Sequence, residues 1–326
     1  MRRRQFIVLI CGAAALPQTI RAQQPALPVV GFVRDGSADA NARYAAAFRK
    51  GLNETGYVEG QNVTVEYHWL GGQYDRLSAL MADLVGRHVA VIATPGTAPT
   101  LAAKAATARV PIVFSVGEDP VKLGLVASLA RPGGNATGIN FFANEVVAKR
   151  LQLLHELAPK AVRVAVFVNP GNASVAATTI RDAQKAALTI GLKTQIFNAA
   201  TIDEINAAFG TFARERPDAL LVAADAFFVS RAVQFTTLAS RDRIPAIYPI
   251  RDFAAAGGLM SYGTVFPDVF HQVGVYVGLI LKGTKPTDLP VMQSTRFEFV
   301  INAQTTRALG IEVPSGLLAI ADEVIE

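Results

Sequence analysis

Cysteine is almost absent from this sequence. The 326 residues include one cysteine, Cys11, which lies in an apolar stretch near the N-terminus. Disulfides require cysteine pairs, and structural zinc sites usually require several thiolates or histidines at short spacing. The four histidines are scattered and none is paired at a metal-ligand spacing. We therefore expect no disulfide and no metal site.

The motifs of common enzymes are also missing. The first apolar segment is not followed by G-x-G-x-x-G, and no G-x-S-x-G elbow or H-E-x-x-H motif occurs. The glycine-rich segment GGNATG (133–138) lacks the Gly-Lys-Ser/Thr ending of a phosphate loop. These absences disfavour an enzyme and predict no cofactor. One alternative remains, an exported α/β enzyme whose catalytic groups come together only in the folded chain.

No apolar run is long enough to span a bilayer. The longest N-terminal run, Phe6 to Leu16, follows three arginines and precedes Ala22 and a polar segment. This pattern predicts a secretory signal peptide over residues 1–22, and Arg3-Arg4-Gln5-Phe6-Ile7 resembles a twin-arginine export signal. An arginine-rich general secretory signal is the alternative. We therefore expect an exported, periplasmic protein.

Net charge is low once this leader is removed. The leader contains four arginines and no acidic residue, so 27 basic residues face 26 acidic ones in the rest of the chain. A nearly neutral chain does not predict a nucleic-acid partner. It also gives no reason to expect contact with a membrane except through a partner protein.

From Pro28 onward, short apolar runs alternate with helical patterns. Runs at 27–33, 88–94 and 110–116 predict buried strands, and the same order of strand, polar turn and helix recurs after about residue 160. Continuous apolar strands that alternate with helices are typical of a parallel sheet covered on both faces. The predicted fold class is α/β, with two doubly wound parallel-sheet lobes. Chance similarity among α/β units is the alternative to a true repeat.

The late segments predict a hinge of several strands between the lobes. We expect the first lobe to comprise residues 28–138 and 258–286, and the second lobe to comprise 139–257 and 287–326. The chain would then cross between lobes near 133–142, 255–263 and 287–293. Several crossings allow the lobes to bend toward each other without separating.

Ligand-binding residues are expected at the carboxyl ends of the parallel strands. Small polar residues follow most of the predicted strands, and helix N-termini with hydroxyl side chains are suited to carboxylates. Each such residue has an alternative role as a helix cap. The candidates, three of them aromatic residues for the walls, are Asp35, Ser37, Thr94, Gly96, Thr97, Gly117, Glu118, Asn169, Asn172, Ala173, Ser174, Asp225, Phe227, Tyr248 and Tyr262.

Two segments resemble a known family. DPVKLGLVASLARPGGNATG (119–138) and the closing VPSGLLAIADEVIE (313–326) resemble the bacterial ABC-transporter solute-binding proteins of the tryptophan/tyrosine-binding type. The resemblance implies a type I periplasmic-binding-protein fold that closes on a small ligand. It also implies an ABC permease with its ATPase as partner, and a monomer suits a protein that diffuses between ligand and permease.

The resemblance also implies roles for individual residues. The ligand would be an amino acid, aromatic or branched, or a related carboxylate. Thr97, Ser37 and Ser174 would be on the carboxylate side, and Asp225 would receive the amine. Glu118 stands where such proteins tend to have a hydroxyl, and it would repel a nearby carboxylate. A ligand sensor that signals to a membrane receptor is the alternative to transport.

Overall fold

The computed structural model describes residues 27–141 and 145–326, and within these ranges the chain forms thirteen strands and twelve α-helices. The predicted signal peptide, residues 1–22, lies outside the described residues. The strands are β1 (Val29–Arg34), β2 (Thr64–Trp69), β3 (Val91–Pro95), β4 (Ile112–Val116), β5 (Ala136–Asn140), β6 (Arg163–Val168), β7 (Lys193–Asn198), β8 (Ala219–Val222), β9 (Ala246–Tyr248), β10 (Met260–Thr264), β11 (Met292–Gln293), β12 (Phe297–Asn302) and β13 (Glu323–Ile325).

Helices connect most of these strands. They are α1 (Ala42–Glu54), α2 (Leu77–Gly86), α3 (Thr97–Ala106), α4 (Glu145–Leu157), α5 (Ala173–Thr189), α6 (Ile202–Glu215), α7 (Ala226–Val229), α8 (Ala232–Arg241), α9 (Arg251–Ala255), α10 (Phe266–Leu281), α11 (Ala303–Leu309) and α12 (Ser315–Ile320). Short 3₁₀ turns form at Tyr74–Arg76 and Pro286–Asp288. No helix within the described ranges is long and apolar enough to cross a membrane.

The first sheet contains six parallel strands in the order β11-β5-β4-β3-β1-β2. Helices α1 and α10 pack on one face, and α2 and α3 pack on the other with a separate apolar core. The face of α1 that carries Tyr44, Phe48 and Leu52 is buried, as the sequence pattern predicts. Coverage of both faces explains why these strands are apolar along their whole length.

Glycines allow α1 and α10 to cross in close contact. A Cβ at Gly51 would collide with the carbonyl oxygen of His271, and a Cβ at Gly274 would collide with that of Phe48. Because neither glycine has a side chain, the backbones of α1 and α10 can approach each other directly. This crossing fixes α10, which arrives late in the chain, on the first lobe.

The second sheet contains seven strands in the order β13-β12-β10-β9-β8-β6-β7. All neighbouring strands are parallel except β10 and β12, which are antiparallel. Helices α4 and α5 contact each other and the central strands, while an aromatic cluster around Phe167 joins the sheet to α6 and α8. The predicted fold class, two doubly wound α/β lobes, is confirmed.

Two late strands lie in a different lobe from the one predicted. Strand β10 pairs with β9 and β12 in the second sheet, although residues 258–264 were expected in the first lobe. Strand β11 pairs with β5 in the first sheet, although 287–326 was expected in the second. Strand β5 also extends the first sheet to Asn140, beyond the expected boundary at 138. Long-range pairing, not local pattern, decides which sheet such a strand joins.

The three connections between the lobes contact one another. They follow β5, β10 and β11. The Thr264 hydroxyl donates to the Phe141 carbonyl oxygen at 3.0 Å, and the Val265 amide donates to the Arg296 carbonyl oxygen at 3.2 Å. The connections therefore form one hydrogen-bonded hinge on a single side of the cleft.

Candidate functional site

A cavity lies between the lobes, at the carboxyl ends of strands from both sheets. Residues that follow β1, β3 and β4 form its first-lobe wall, and residues that follow β6, β8 and β9 contribute to its second-lobe wall. This partly open cavity has a volume of about 60 Å³, and on the same measure about 10–15 Å³ holds one water molecule. The space therefore accommodates several water molecules between lobes that are already close together.

A tyrosine connects the two lobes beside the cavity. Tyr74, in the 3₁₀ turn after β2, donates a hydrogen bond of 2.7 Å to Asp35 Oδ2 in its own lobe. Its hydroxyl oxygen also lies 3.4 Å from Asp225 Oδ2 in the second lobe. Burial, followed by the charges of Asp225 and Asp35, raises the pKa of the Tyr74 hydroxyl. Tyr74 thus remains a proton donor between two carboxylates.

Asp225 is surrounded by donors from its own lobe. Oδ1 accepts hydrogen bonds from Asn169 Nδ2 at 3.0 Å and from the Phe227 amide at 3.0 Å, and Oδ2 accepts one from Asn172 Nδ2 at 3.1 Å. Burial and, second, the charge of Asp35 raise the pKa of Asp225, although the two asparagines act in the opposite direction. Because internal donors occupy both oxygens, little capacity remains for a ligand amine.

Arg34, the last residue of β1, lines the first-lobe wall of the cavity. Its Nε donates to Asn41 Oδ1 at 2.6 Å and its Nη1 donates to the Pro95 carbonyl oxygen at 2.9 Å. The guanidinium also lies over the Phe270 ring, 4.7 Å from its centre. Burial lowers the pKa of Arg34, and the charges of nearby groups, including Asp35, partly offset this. Arg34 is therefore a buried cation with the negative charge of Asp35 nearby.

Glu118 lies in the turn after β4 and lines the cavity. The side chain is only 5% exposed. Thr97 donates a hydrogen bond of 2.6 Å to Glu118 Oε2, whereas Oε1 has no hydrogen-bond partner among residues 27–141 and 145–326. A buried carboxylate oxygen without a donor is rare and costly. Glu118 can therefore accept a donor from a molecule in the cavity.

Arg150 lines the opposite wall, from helix α4 of the second lobe. It is 2% exposed, and it donates hydrogen bonds to the carbonyl oxygens of Tyr262 at 2.6 Å and Pro249 at 3.3 Å. Burial lowers the pKa of Arg150 from 12.5 to about 9. Within the described part of the chain, no carboxylate forms an ion pair with it. Among the residues that the structure describes, Arg150 is therefore a buried cation without an anionic partner.

Apolar side chains complete the cavity. Phe141, at the hinge, packs edge-on against Phe266 at the start of α10, with ring centres 5.0 Å apart. Val147, Val175 and Ile250 line the second-lobe side. The cavity thus combines charged groups of both signs with an apolar region, as a ligand with polar ends and an apolar part would require.

Seven of the predicted candidates line this cavity, and eight lie elsewhere. Those on its walls are Asp35, Gly96, Thr97, Gly117, Glu118, Asn172 and Asp225. Thr94, Asn169, Phe227 and Tyr248 are buried within their own lobes. Ser37 is exposed in the segment before α1, Ala173 is exposed at the start of α5, and Ser174 and Tyr262 are partly buried outside the cavity. Ser37 Oγ accepts from the Ala40 amide inside the turn that precedes α1, whereas the N-cap position of α1 is Asn41, so Ser37 does not cap a helix.

Ser37, Ser174 and Asp225 do not have the geometry expected for their predicted roles. The two serines stand away from the cavity, and the oxygens of Asp225 are occupied. Arg150 and Tyr74 also line the cavity, and neither is among the residues predicted from the sequence. An arginine in mid-helix is usually exposed, and the fully apolar neighbours Val146, Val147 and Leu151 were the only sign that this face of α4 is buried.

Comparison with known proteins agrees with this architecture. The family model for ABC transporter substrate binding proteins matches residues 28–325. A tyrosine-binding protein of Clostridioides difficile is 27% identical over 268 residues, which cover 81% of this chain and 76% of that protein.

Two solved structures have the same fold. The ABC domain in complex with L-Trp from Streptococcus pneumonia is 23% identical and has a TM-score of 0.80, covering 92% of this chain and 100% of that one. The ligand-free, open structure of a substrate binding protein with adhesive properties from Clostridium difficile is 25% identical, with a TM-score of 0.63, and covers 92% and 99%. The fold is that of the type I periplasmic binding proteins. This chain belongs to the ABC transporter substrate-binding protein family.

Proposed function

We infer that this chain is the solute-binding component of an ABC importer, which closes its two lobes around an amino acid or a related carboxylate. The observation that carries this proposal is the cavity between the lobes, where buried Glu118 and Arg150 face an apolar region. A partly open space with charged groups of both signs suits a small molecule with polar ends. An aromatic or branched side chain would occupy the region around Phe141 and Phe266.

The comparisons support an aromatic ligand in particular. One relative is named as a tyrosine-binding protein, and one structural neighbour holds L-Trp. The higher TM-score to the L-Trp complex than to the open structure supports a closed arrangement of the lobes in this chain. Closure around a ligand requires that the ligand bind the closed form more tightly than the open form.

Export and delivery to a permease complete the proposal. The arginine-rich leader supports secretion to the periplasm, and a monomer would suit a protein that diffuses between its ligand and a membrane permease. The partner would be a membrane permease with its ATPase. The first lobe would comprise the strands of the first sheet with α1, α2, α3 and α10, and the second lobe the strands of the second sheet with the remaining long helices.

A thermal-shift screen of residues 23–326 tests this function. The protein is unfolded in guanidinium and refolded first, so that any ligand carried through purification is removed. It is then heated with amino acids, amine-free carboxylic acids, sugars and nucleosides. A ligand at one hundred times its Kd adds about 2.7 kcal/mol of stability, which raises the melting temperature by several degrees. Shifts by tyrosine, tryptophan or branched amino acids support the proposal. Shifts only by sugars or nucleosides, or none at all, overturn it.

A further inference from the structure

Glu118 and Arg150 carry opposite charges on opposite lobes. Glu118 follows β4 of the first lobe, and Arg150 belongs to α4, which packs on the second sheet. Both side chains are more than nine-tenths buried and both line the same cavity. Among the described residues, Glu118 Oε1 has no donor and Arg150 has no anionic partner. Isolated buried charges are unfavourable, so a protein that keeps them needs a partner for each.

The other charged groups around the cavity already have partners. Asp35 accepts hydrogen bonds from the Gly72 amide at 2.6 Å and from Tyr74. Asp225 is held by Asn169 and Asn172. Arg34, like Arg150, donates to neutral oxygen atoms, but unlike Arg150 it has the negative charges of Asp35 and Asp225 nearby. Among the described residues that line the cavity, Glu118 Oε1 has no donor and Arg150 has no carboxylate beside it, so a bound molecule can pair both.

We propose that the ligand is a zwitterion that bridges the lobes, with its ammonium group on Glu118 of the first lobe and its carboxylate on Arg150 of the second. This inference rests on the proposed solute-binding function and names the class of solute. It also assigns the amine to Glu118, where the resemblance of the sequence had pointed to Asp225.

Bridging couples recognition to closure. In an open cleft the ligand meets one lobe and pairs one of its two charges, whereas in the closed cleft both charges are paired. The second ion pair therefore forms only on closure, and it supplies the difference in affinity that a shift toward the closed form requires. A compound that has only one of the two charges should bind weakly and close the lobes poorly.

The same arrangement selects among solutes. A neutral sugar or nucleoside would leave both buried charges unpaired, and a simple carboxylate would leave Glu118 unpaired. Unpaired buried groups give stronger discrimination than the loss of apolar contact does. Thr97, which donates to Glu118 Oε2, fixes the carboxylate and leaves Oε1 for the ligand.

Calorimetry tests this bridge with ligands that lack one charged group and with protein variants that lack one charged side chain. The ligands are L-tyrosine, tyramine, which lacks the carboxylate, and 3-(4-hydroxyphenyl)propionate, which lacks the amine. The proteins are the refolded chain 23–326, Glu118→Gln and Arg150→Gln. Glutamine at 118 can still accept from Thr97, and glutamine at 150 can still donate to the Tyr262 carbonyl, so both variants are expected to fold.

The expected pattern is specific to each charge. Glu118→Gln should weaken tyrosine binding at least about 30-fold and leave the affinity for the propionate close to that of the unmodified chain. Arg150→Gln should weaken tyrosine binding by a similar factor and leave the affinity for tyramine unchanged. The controls Glu312→Gln and Arg109→Gln, both at exposed positions, should change nothing.

Three other outcomes separate the failure of this inference from the failure of the function. If the unmodified chain binds tyrosine but each variant weakens all three ligands equally, the residues are structural and the bridge is wrong. If the chain binds the propionate as tightly as tyrosine, the bridge is wrong but the function stands; if it binds neither an amino acid nor a related carboxylate, the proposed function itself fails. Normal melting curves for both variants ensure that a loss of binding is not a loss of folding.

Discussion

Glu118→Gln is expected to make the empty protein more stable while it weakens ligand binding. Glu118 is 5% exposed and one of its two carboxylate oxygens lacks a donor within the described ranges. Leaving a buried polar group unsatisfied costs about 1–3 kcal/mol, and more when the group is charged. The glutamine amide carries no net charge and can keep the 2.6 Å contact with Thr97. Because the amide nitrogen would occupy the place of Oε1 without a partner, only the additional cost of the charge is removed, and we expect the free energy of unfolding to rise by about 1 kcal/mol at pH 7.

The same substitution should reduce the stabilisation that the ligand provides. At a ligand concentration of one hundred times the wild-type Kd, wild type gains about 2.7 kcal/mol, whereas a variant with 30-fold weaker binding gains about 0.9 kcal/mol. Urea denaturation of ligand-free and ligand-loaded samples measures both quantities in one experiment. A functional residue that costs stability when the site is empty is the pattern expected of a binding site.

Glu312→Gln is the matched control, because Glu312 is exposed and loses its charge in the same way. Its free energy of unfolding should stay within about 0.5 kcal/mol of wild type. If Glu118→Gln lowers the stability of the empty protein and leaves the ligand increment intact, Glu118 is a structural residue and the reasoning is refuted.

Three further predictions concern the bridge between the lobes and the helix crossing. Tyr74→Phe removes a hydroxyl that lies between Asp35 and Asp225. Because hydrogen bonds to charged groups contribute roughly 1.5–3 kcal/mol, calorimetry should show ligand affinity weakened about ten- to a hundredfold. Unchanged affinity would show that the contact of Tyr74 with both lobes does not contribute to binding. Because burial and the Asp35 charge raise the pKa of Asp225, the stability that its protonated form contributes is present below about pH 3.9 and is lost as the pH rises through the raised pKa. Asp35→Asn should lessen that loss, so its stability relative to wild type should increase from about pH 4 upward in urea titrations, and a constant difference would contradict this. Gly274→Ala should lower the free energy of unfolding by about 1–3 kcal/mol, because the new Cβ would clash with α1. The control is Gly210→Ala in α6, where a Cβ meets open space, and it should raise the free energy of unfolding by about 0.5–1 kcal/mol. Equal effects of the two substitutions would refute the close crossing.

Most of the fold could be predicted because its elements have strong local signals. Strands β3 and β4 are continuous apolar runs, and α1 repeats Tyr44, Phe48 and Leu52 on one face. The placement of β10 and β11 could not be predicted in this way. Both are short strands whose sheet is chosen by partners far away in sequence, and α10, which lies between them, returns to the first lobe through its glycine contacts with α1.

The candidate site was predicted only in part, for a similar reason. Acidic residues that directly follow buried strands, such as Asp35 and Glu118, are visible in the sequence because strand ends converge at one edge of a sheet. Arg150 has no such signal. It is buried because α4 packs beside the hinge, where the carbonyl groups of Tyr262 and Pro249 accept its hydrogen bonds. Conversely, Tyr248 follows the strand-end rule but stacks on Phe253 inside its own lobe.

Small-angle X-ray scattering of residues 23–326 tests the central claim most directly. The refolded, ligand-free chain is measured first, and then the same sample is measured with the amino acid that raises its melting temperature most. If the lobes close around a zwitterion, the radius of gyration should fall on addition of this amino acid, and the scattering should then match the closed structure. It should not fall with the corresponding amine-free acid. An unchanged radius of gyration at a ligand concentration that calorimetry shows to be saturating would contradict closure around the ligand.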